Sequence, residues 1–326
     1  MRMPIYVLSN NTFIGKSGEH IIIGRNGKKM PCPSESTSYI VKVGNSQISE
    51  QVLNFLSEKK IPIFRFSYGG KYTGIFLPPE NNINKTRLNQ YKTYFGKKRV
   101  ILAKEFVKSA AKNKINLLKK YRKLKKKEID NAIKGIEKLS LKIDQIKSVE
   151  SLRGIESNIA KHYYKGLKHC FKYFNFKTRE YYPPKCEINS LMSYLYALLY
   201  AEITHKISEH GLSVFCGYLH EQNNNQQPLA YDISEVFKQW IDQFILTLVN
   251  TKEIKEQYFN KKPDGAVLLN TYGKTFITKK WIALLRKTTF DEELDERKSY
   301  VEFIRKEVIK LKGFINNNKE YNGFQS

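Results

Sequence analysis

The spacing of apolar residues changes once along this chain, and that change limits the fold more than any other feature. Up to Leu77, β-branched and aromatic residues come in short runs at 5–8, 20–23, 39–43, 61–66 and 72–77. Asn10-Asn11, Gly24, Asn26-Gly27, Gly44-Asn45 and Gly69-Gly70 separate the runs, and these are turn-forming residues. One helix interrupts, with Ser46 or Ser49 as its cap and Ile48, Val52, Phe55 and Leu56 as its apolar stripe. Pro78-Pro79-Glu80-Asn81-Asn82 then breaks the chain. From Val100 the period is helical: Val100, Ala103, Phe106-Val107, Ala110-Ala111, Leu117-Leu118, Tyr121 and Leu124 share one side. Ile129, Ile133, Ile136, Leu139, Ile143 and Ile146 make a second stripe. Strands first and helices after give an α+β chain. Residues 1–90 form a small, mostly-β N-terminal domain, with a linker running to about 97. Residues 98–326 form a larger all-α domain, with a polar, loose tail from about 316.

Charge narrows the function. Lys and Arg number 57 against 31 Asp and Glu, a net of +26. Such an excess implies a polyanionic partner, nucleic acid before membrane. It is concentrated. Between Lys97 and Lys147 stand 18 basic and 5 acidic residues, half of the net charge. A helical face of that density suits a phosphate backbone, and Lys119, Lys120, Lys123 and Lys126 are the candidates for duplex DNA contact. The plainer alternative is a solvated face. Cys32, Cys170, Cys186 and Cys216 form no CxxC pair, so neither a zinc ribbon nor a redox motif is indicated, and a reducing cytoplasm is expected. Residues 1–13 do not read as a signal peptide, and the most apolar stretch, 191–203, is too short for a membrane span.

Two stretches carry candidate chemistry. Gly217-Tyr218-Leu219-His220 leads through an Asn/Gln loop to Pro228, where a helix begins and runs to about Asn250 with Asp232 and Glu235 in its first turns. Helical residues three apart share a face, so one imidazole and two carboxylates converge across a short loop. That is donor chemistry for a divalent cation. Acidic residues are also ordinary in a first helical turn, and a lone histidine is usually structural. The second stretch is a helix from Ser151, where Leu152, Ile159, Tyr163 and Leu167 form the apolar side and Glu156 falls in its middle. A core-facing carboxylate must be paired, protonated or metal-bound. A salt bridge to Arg153 or Arg179 and a metal role are both open at this point. The next helix, from Ile188 to Ile203 and ending at Gly211, is apolar nearly all round, with Tyr194, Tyr196 and Tyr200 read as core. Residues 251–311 read as further helices. His162, His169, His205 and His210 lie on helices without a nearby acidic pair and are read as structural.

Three motifs now occur in order. Residues 153–163, Arg-Gly-Ile-Glu-Ser-Asn-Ile-Ala-Lys-His-Tyr, resemble the Glu-Gly-x-x-Ala-x-x-Tyr helix of the CRISPR-associated endonuclease Cas-one family, the spacer integrases. Residues 189–196 are similar to that family's Asn-Ala-Leu-Leu-x-x-Gly-Tyr helix. Residues 217–220 with 229–237 are similar to its Gly-x-Leu-His and Leu-x-x-Asp-Leu-x-Glu-x-Phe pair. Ser157 and Leu195 stand where the family has Gly, and Lys238-Gln239 where Arg-Pro is common. The resemblance implies Glu156, His220 and Glu235 as ligands of Mn²⁺ or Mg²⁺, with Asp232 beside them among the catalytic residues. It implies cleavage and strand transfer on double-stranded DNA, joining the 3′-hydroxyl ends of a captured fragment to the CRISPR repeat. It further implies a homodimer through the β domain, bridged by the small second adaptation protein. A transposon-type integrase of the same catalytic fold and a non-catalytic basic scaffold are the alternatives.

Overall fold

The computed structural model describes residues 2–67, 72–79, 84–221, 227–291, 293–317 and 319–325. The Gly69-Gly70 turn, Glu80-Asn81-Asn82 and residues 222–226 of the Asn/Gln loop lie outside the described residues. The chain divides into two compact units.

Among the described residues, the first unit, Met1–Asn82 with Leu269–Ile282, holds eight strands, a helix and the first part of another. In order these are β1 (Met3–Val7), β2 (Thr12–Ser17), β3 (His20–Arg25), β4 (Lys28–Pro33), β5 (Thr37–Val43), β6 (Ser46–Ile48), α1 (Glu50–Glu58), β7 (Ile63–Phe66) and β8 (Tyr72–Phe76). They form two four-stranded sheets, ordered β1-β5-β7-β8 and β4-β3-β2-β6. Asn26 (φ 50°) and Gly27 (φ 76°) turn β3 into antiparallel β4, the left-handed pair that a tight hairpin demands. The apolar runs do not predict β4. Its Lys-Lys-Met-Pro-Cys-Pro sequence holds two prolines, tolerable because β4 is an edge strand. Ser49 caps α1 by accepting from the Val52 N–H, and Val52, Phe55 and Leu56 join Ile14, Ile21, Ile40 and Ile63 in the core. Residues 269–282, expected in the helical domain, cluster here instead, and Trp281 Nε1 donates to Tyr6 Oη at 3.0 Å.

The second unit, Ile83–Leu268 with Ala283–Ser326, is mostly helical. It contains α2 (Asn84–Phe95), α3 (Lys98–Lys120), α4 (Lys126–Ser140), α5 (Val149–Leu167), α6 (Glu187–Glu209), α7 (Pro228–Glu235) and α8 (Lys238–Asn250). Paired strands β9 (Phe259–Lys261) and β10 (Val267–Leu269) follow, then α9 (Thr271–Arg286), whose first part belongs to the other unit. An antiparallel hairpin, β11 (Thr288–Asp291) and β12 (Glu296–Ser299), leads into α10 (Tyr300–Asn317). Four expectations change. α2 occupies most of the expected linker. The helix expected from Pro228 to Asn250 breaks after Glu235, and a new one starts at Lys238. Residues 251–311 include two hairpins, formed where Asp264-Gly265 and Asp291 place turns between short strands. The expected loose tail is docked, because Tyr321 is 4% exposed and hydrogen-bonds to buried Glu307. α6 is buried nearly all round, as its sequence implies.

Candidate active site

Pro228 starts α7 in its first turn, a position where a missing N–H costs nothing. Asp232 on this helix is fully buried, and its carboxylate gathers the incoming loop. It accepts from the backbone N–H of Tyr218, of Leu219 at 3.1 Å and of His220 at 2.8 Å. It also bonds His220 Nδ1 at 2.8 Å. The Gly-Tyr-Leu-His run thereby acquires a local explanation. A Cβ on Gly217 would stand 2.7 Å from Pro228 Cβ and 2.9 Å from the His220 carbonyl, so no side chain fits. Leu219 is fully buried and fixes the loop below the histidine. With Nδ1 committed to Asp232, Nε2 is the ring nitrogen left to meet a ligand, the usual carboxylate–histidine arrangement of metal sites. Burial lowers the His220 pKa, but the hydrogen bond and charge of Asp232 outweigh it and raise the imidazole above its ordinary value.

Glu235, one turn further on α7, is buried and carries two cations. Lys114 of α3 reaches Oε2 at 3.2 Å, and Lys238 of α8 reaches Oε1. Burial pushes the Glu235 pKa up, but the charges of Lys238 and Lys114 prevail and hold it well below the carboxylate range.

Glu156 of α5 is half-buried between Leu152 and Ile159. Burial raises its pKa, the like charge of Glu235 raises it further, and Lys114, Lys238 and His220 oppose both. The salt-bridge alternative fails on geometry. Arg153 pairs with Glu221 at 3.1 Å, and Arg179 donates to Asn189 Oδ1 and Ser193 Oγ. Among the described residues Glu156 makes no hydrogen bond or ion pair.

Glu156, Glu235 and His220 thus share one electrostatic environment, and Asp232 touches His220 directly. As the side chains lie, no three His, Cys, Asp or Glu groups among the described residues are close enough to hold a metal. Both oxygens of Glu235 face lysines. The donor set still fits a divalent ion. Two hard carboxylates and an imidazole suit Mn²⁺ and tolerate Mg²⁺, and Glu156 is a carboxylate repelled by its neighbour with no cation bonded to it.

Lys119, Lys120, Lys123 and Lys126 are exposed at the corner between α3 and α4 and take no part in this cluster; Lys120 reaches Gln243 at 3.3 Å. Sequence reasoning missed Lys114, Lys238 and Asp242. Lys114 had a signal: it lies in the Ala110-Ala111 and Leu117-Leu118 stripe, and a cation there needs a buried anion. Asp242 of α8 is buried and accepts from Tyr163 Oη and Tyr196 Oη, each at 2.7 Å, tying α5 and α6 to α8. Burial lifts its pKa to about 6 against those two hydrogen bonds.

The model of CRISPR associated protein Cas1, the Cas-one family of the motifs above, matches residues 5–282. CRISPR-associated endonuclease Cas1 2 of Thermodesulfovibrio yellowstonii is 31% identical, over 99% of this chain and 99% of that one. The solved structure of a CAS1 protein from Thermotoga maritima matches with TM-score 0.87 at 28% identity, covering 100% of both chains. A casposase bound to integration product has the same fold, with TM-score 0.84 at 20% identity over 98% of this chain and 92% of that one.

Proposed function

This chain belongs to the CRISPR-associated Cas1 family, and from that premise we propose that it is a metal-dependent DNA endonuclease and integrase of CRISPR adaptation. It joins the 3′-hydroxyl ends of captured double-stranded DNA to the CRISPR repeat. The observation that carries this is the Asp232 cradle, which holds His220 by Nδ1 within the electrostatic reach of Glu156 and Glu235, the former without a bonded cation. Glu156, His220 and Glu235 would hold Mn²⁺ or Mg²⁺. When bound, such an ion would supply Lewis-acid polarisation of the phosphodiester and charge stabilisation for the oxygens of attack and departure.

The remaining work falls to the chain. Asp232 fixes the His220 tautomer and ring orientation. Lys114 and Lys238 keep Glu235 ionised and ready as a hard ligand. The attacking oxygen comes from the DNA end or from water, so no side-chain nucleophile is required. The exposed lysines at the α3–α4 corner hold duplex DNA by its phosphates. The working form is a cytoplasmic homodimer that assembles with the small second adaptation protein. No helix among the described residues is long and apolar enough to cross a membrane.

The test is a joining assay on supercoiled plasmid with a short duplex and Mn²⁺, run beside thermal unfolding. Glu156→Ala, His220→Ala and Glu235→Ala should each abolish joining while leaving DNA affinity near wild type. Two substitutions together should do little more than one, since residues acting as a unit are not additive. Mn²⁺ should raise the melting temperature of wild type and of none of the three variants. Full joining by Glu156→Ala or His220→Ala would end the metal-site reading.

A further inference from the structure

Residues 321–324 lie against the back of the site just described. Phe324 stacks on Phe237 with ring centres 5.4 Å apart and planes 24° apart. It meets Trp240 at 4.8 Å and Phe303 at 5.2 Å edge-on. Phe237 is fully buried and follows α7 by two residues, so this aromatic cluster backs the helix that carries Asp232 and Glu235. The backbone of the segment is held as well. The Phe324 carbonyl accepts from Asn113 Nδ2 at 2.8 Å, and the same nitrogen donates to the Val236 carbonyl at 3.0 Å. Asn113 precedes Lys114, which grips Glu235.

Two further interactions lock the segment. Glu307 is 1% exposed and accepts from Tyr321 Oη at 2.5 Å and from the Phe324 N–H at 3.2 Å. A Cβ on Gly323 would collide with Ser109 Oγ and stand 2.9 Å from Ser109 Cβ, so glycine alone lets the segment pass this close to α3. Glu307 and Asn113, buried at 1% and 0% exposure, each have a hydrogen-bond partner in this segment, and losing a buried partner costs free energy.

We infer that residues 321–324 are a positioning strap for the active site, with Phe324 setting the α7–α8 corner and Asn113 linking the strap to Lys114 and so to Glu235. The inference rests on the metal-site reading above. None of the strap residues touches the reacting groups; they act through α7. Without the strap, Phe237 loses the ring stacked on it, and Asn113 loses the Phe324 carbonyl. The Asp232 cradle then loosens together with Glu235.

The experiment uses the full chain in four forms: wild type, Phe324→Ala, Gly323→Ala, and Gly323→Ala with Ser109→Gly. Native-state hydrogen exchange is followed at the amides of Tyr218, Leu219 and His220, which donate to Asp232 and need no metal to report. Joining rate with Mn²⁺ and duplex affinity are measured in parallel. Phe324→Ala and Gly323→Ala should each speed exchange at those amides at least tenfold. They should lower the maximal joining rate at least tenfold, with DNA affinity within twofold of wild type. Ser109→Gly opens the space that Gly323→Ala fills, and should restore both exchange and joining, a rescue that general destabilisation does not give. Exchange unchanged in both single variants, joining unchanged despite faster exchange, or no rescue by Ser109→Gly would each overturn the inference. If Phe324→Ala does not fold, the Gly323→Ala pair decides alone. A wild type that joins nothing with Mn²⁺ sinks the enzymatic reading instead, while the exchange arm still tests the strap.

Discussion

Asp232 does two jobs with one carboxylate, and the second changes what its removal should do. An orienting partner of a metal-bound histidine usually costs about 10–100-fold in activity when lost. Asp232 also accepts three consecutive backbone N–H groups from a buried position. Leaving a buried donor unmet costs about 1–3 kcal/mol each. Asp232→Ala is therefore expected to lose at least about 3 kcal/mol in urea unfolding and to be inactive for that reason. Asp232→Asn keeps an acceptor oxygen and should stay folded, with joining reduced by the smaller, orienting amount. Equal stability of the two variants would show that the cradle is unimportant. Much at this scale was legible in sequence. His220, Asp232 and Glu235 could be grouped because a short loop and a three-residue helical spacing bring them together. Lys114 was not read, because it lies more than a hundred residues before Glu235 and only the folded chain shows which anion meets a buried cation.

The helices around the site are set by close approaches that leave little freedom. A Cβ at Gly166 of α5 would stand 2.8 Å from Ala132 Cβ of α4 and 3.1 Å from Leu118 of α3. Gly166→Ala should cost about 1–3 kcal/mol by overpacking, and it should tilt the helix that carries Glu156, so joining falls more than DNA binding. Equal loss of the two would argue against a shared rigid α5. Asp242 supplies a second test, through pH. Its pKa rises from an ordinary 3.8 to about 6 in the fold, because burial disfavours the charge. The folded state then binds the proton more tightly than the unfolded chain. The stability from this group is fully present below the unfolded value and is lost as pH rises through about 6. Asp242→Asn removes that titration. The difference in unfolding free energy between variant and wild type should move in the variant's favour by about 2 kcal/mol between pH 4 and 7, and a flat difference would contradict the shift. Strong periodicity made these elements legible: Leu152, Ile159, Tyr163 and Leu167 are all buried on α5 as their spacing implies. β4 and the two late hairpins were not legible, since a lysine-rich strand, or one of three or four residues, carries no alternation to detect. Nor was the strap. The tail that contains it is mostly polar, and Tyr321 and Phe324 are held by partners elsewhere in the chain.

At the scale of the whole molecule the question is what the net charge of +26 does. Part of the excess is already engaged inside the chain. Lys108 pairs with Asp144 at 2.7 Å, Arg122 with Asp130 at 2.5 Å, and Lys114 with Glu235. Lys119, Lys120, Lys123 and Lys126 are exposed where α3 ends and α4 begins, and none is in an ion pair among the described residues. These four are therefore open to a phosphate backbone, as are exposed Lys125 and Lys127 beside them. Binding by counterion release makes a specific demand: log affinity falls with log salt by about 0.9 for each phosphate neutralised. Replacing all four lysines with glutamine should weaken binding equally on every duplex sequence and flatten the salt slope by that amount for each phosphate left without its lysine. Thermal stability should scarcely change, because exposed charges contribute little to folding. The joining rate at saturating DNA should be retained, since the Asp232 cradle and the residues proposed to hold the metal are untouched. A solvated face predicts the opposite pattern, with slope and affinity both unchanged. Loss of joining at saturating DNA would mean that the corner positions the DNA for reaction as well as holding it. Titrating fluorescent duplex at several salt concentrations, on wild type and the fourfold variant, decides among these outcomes.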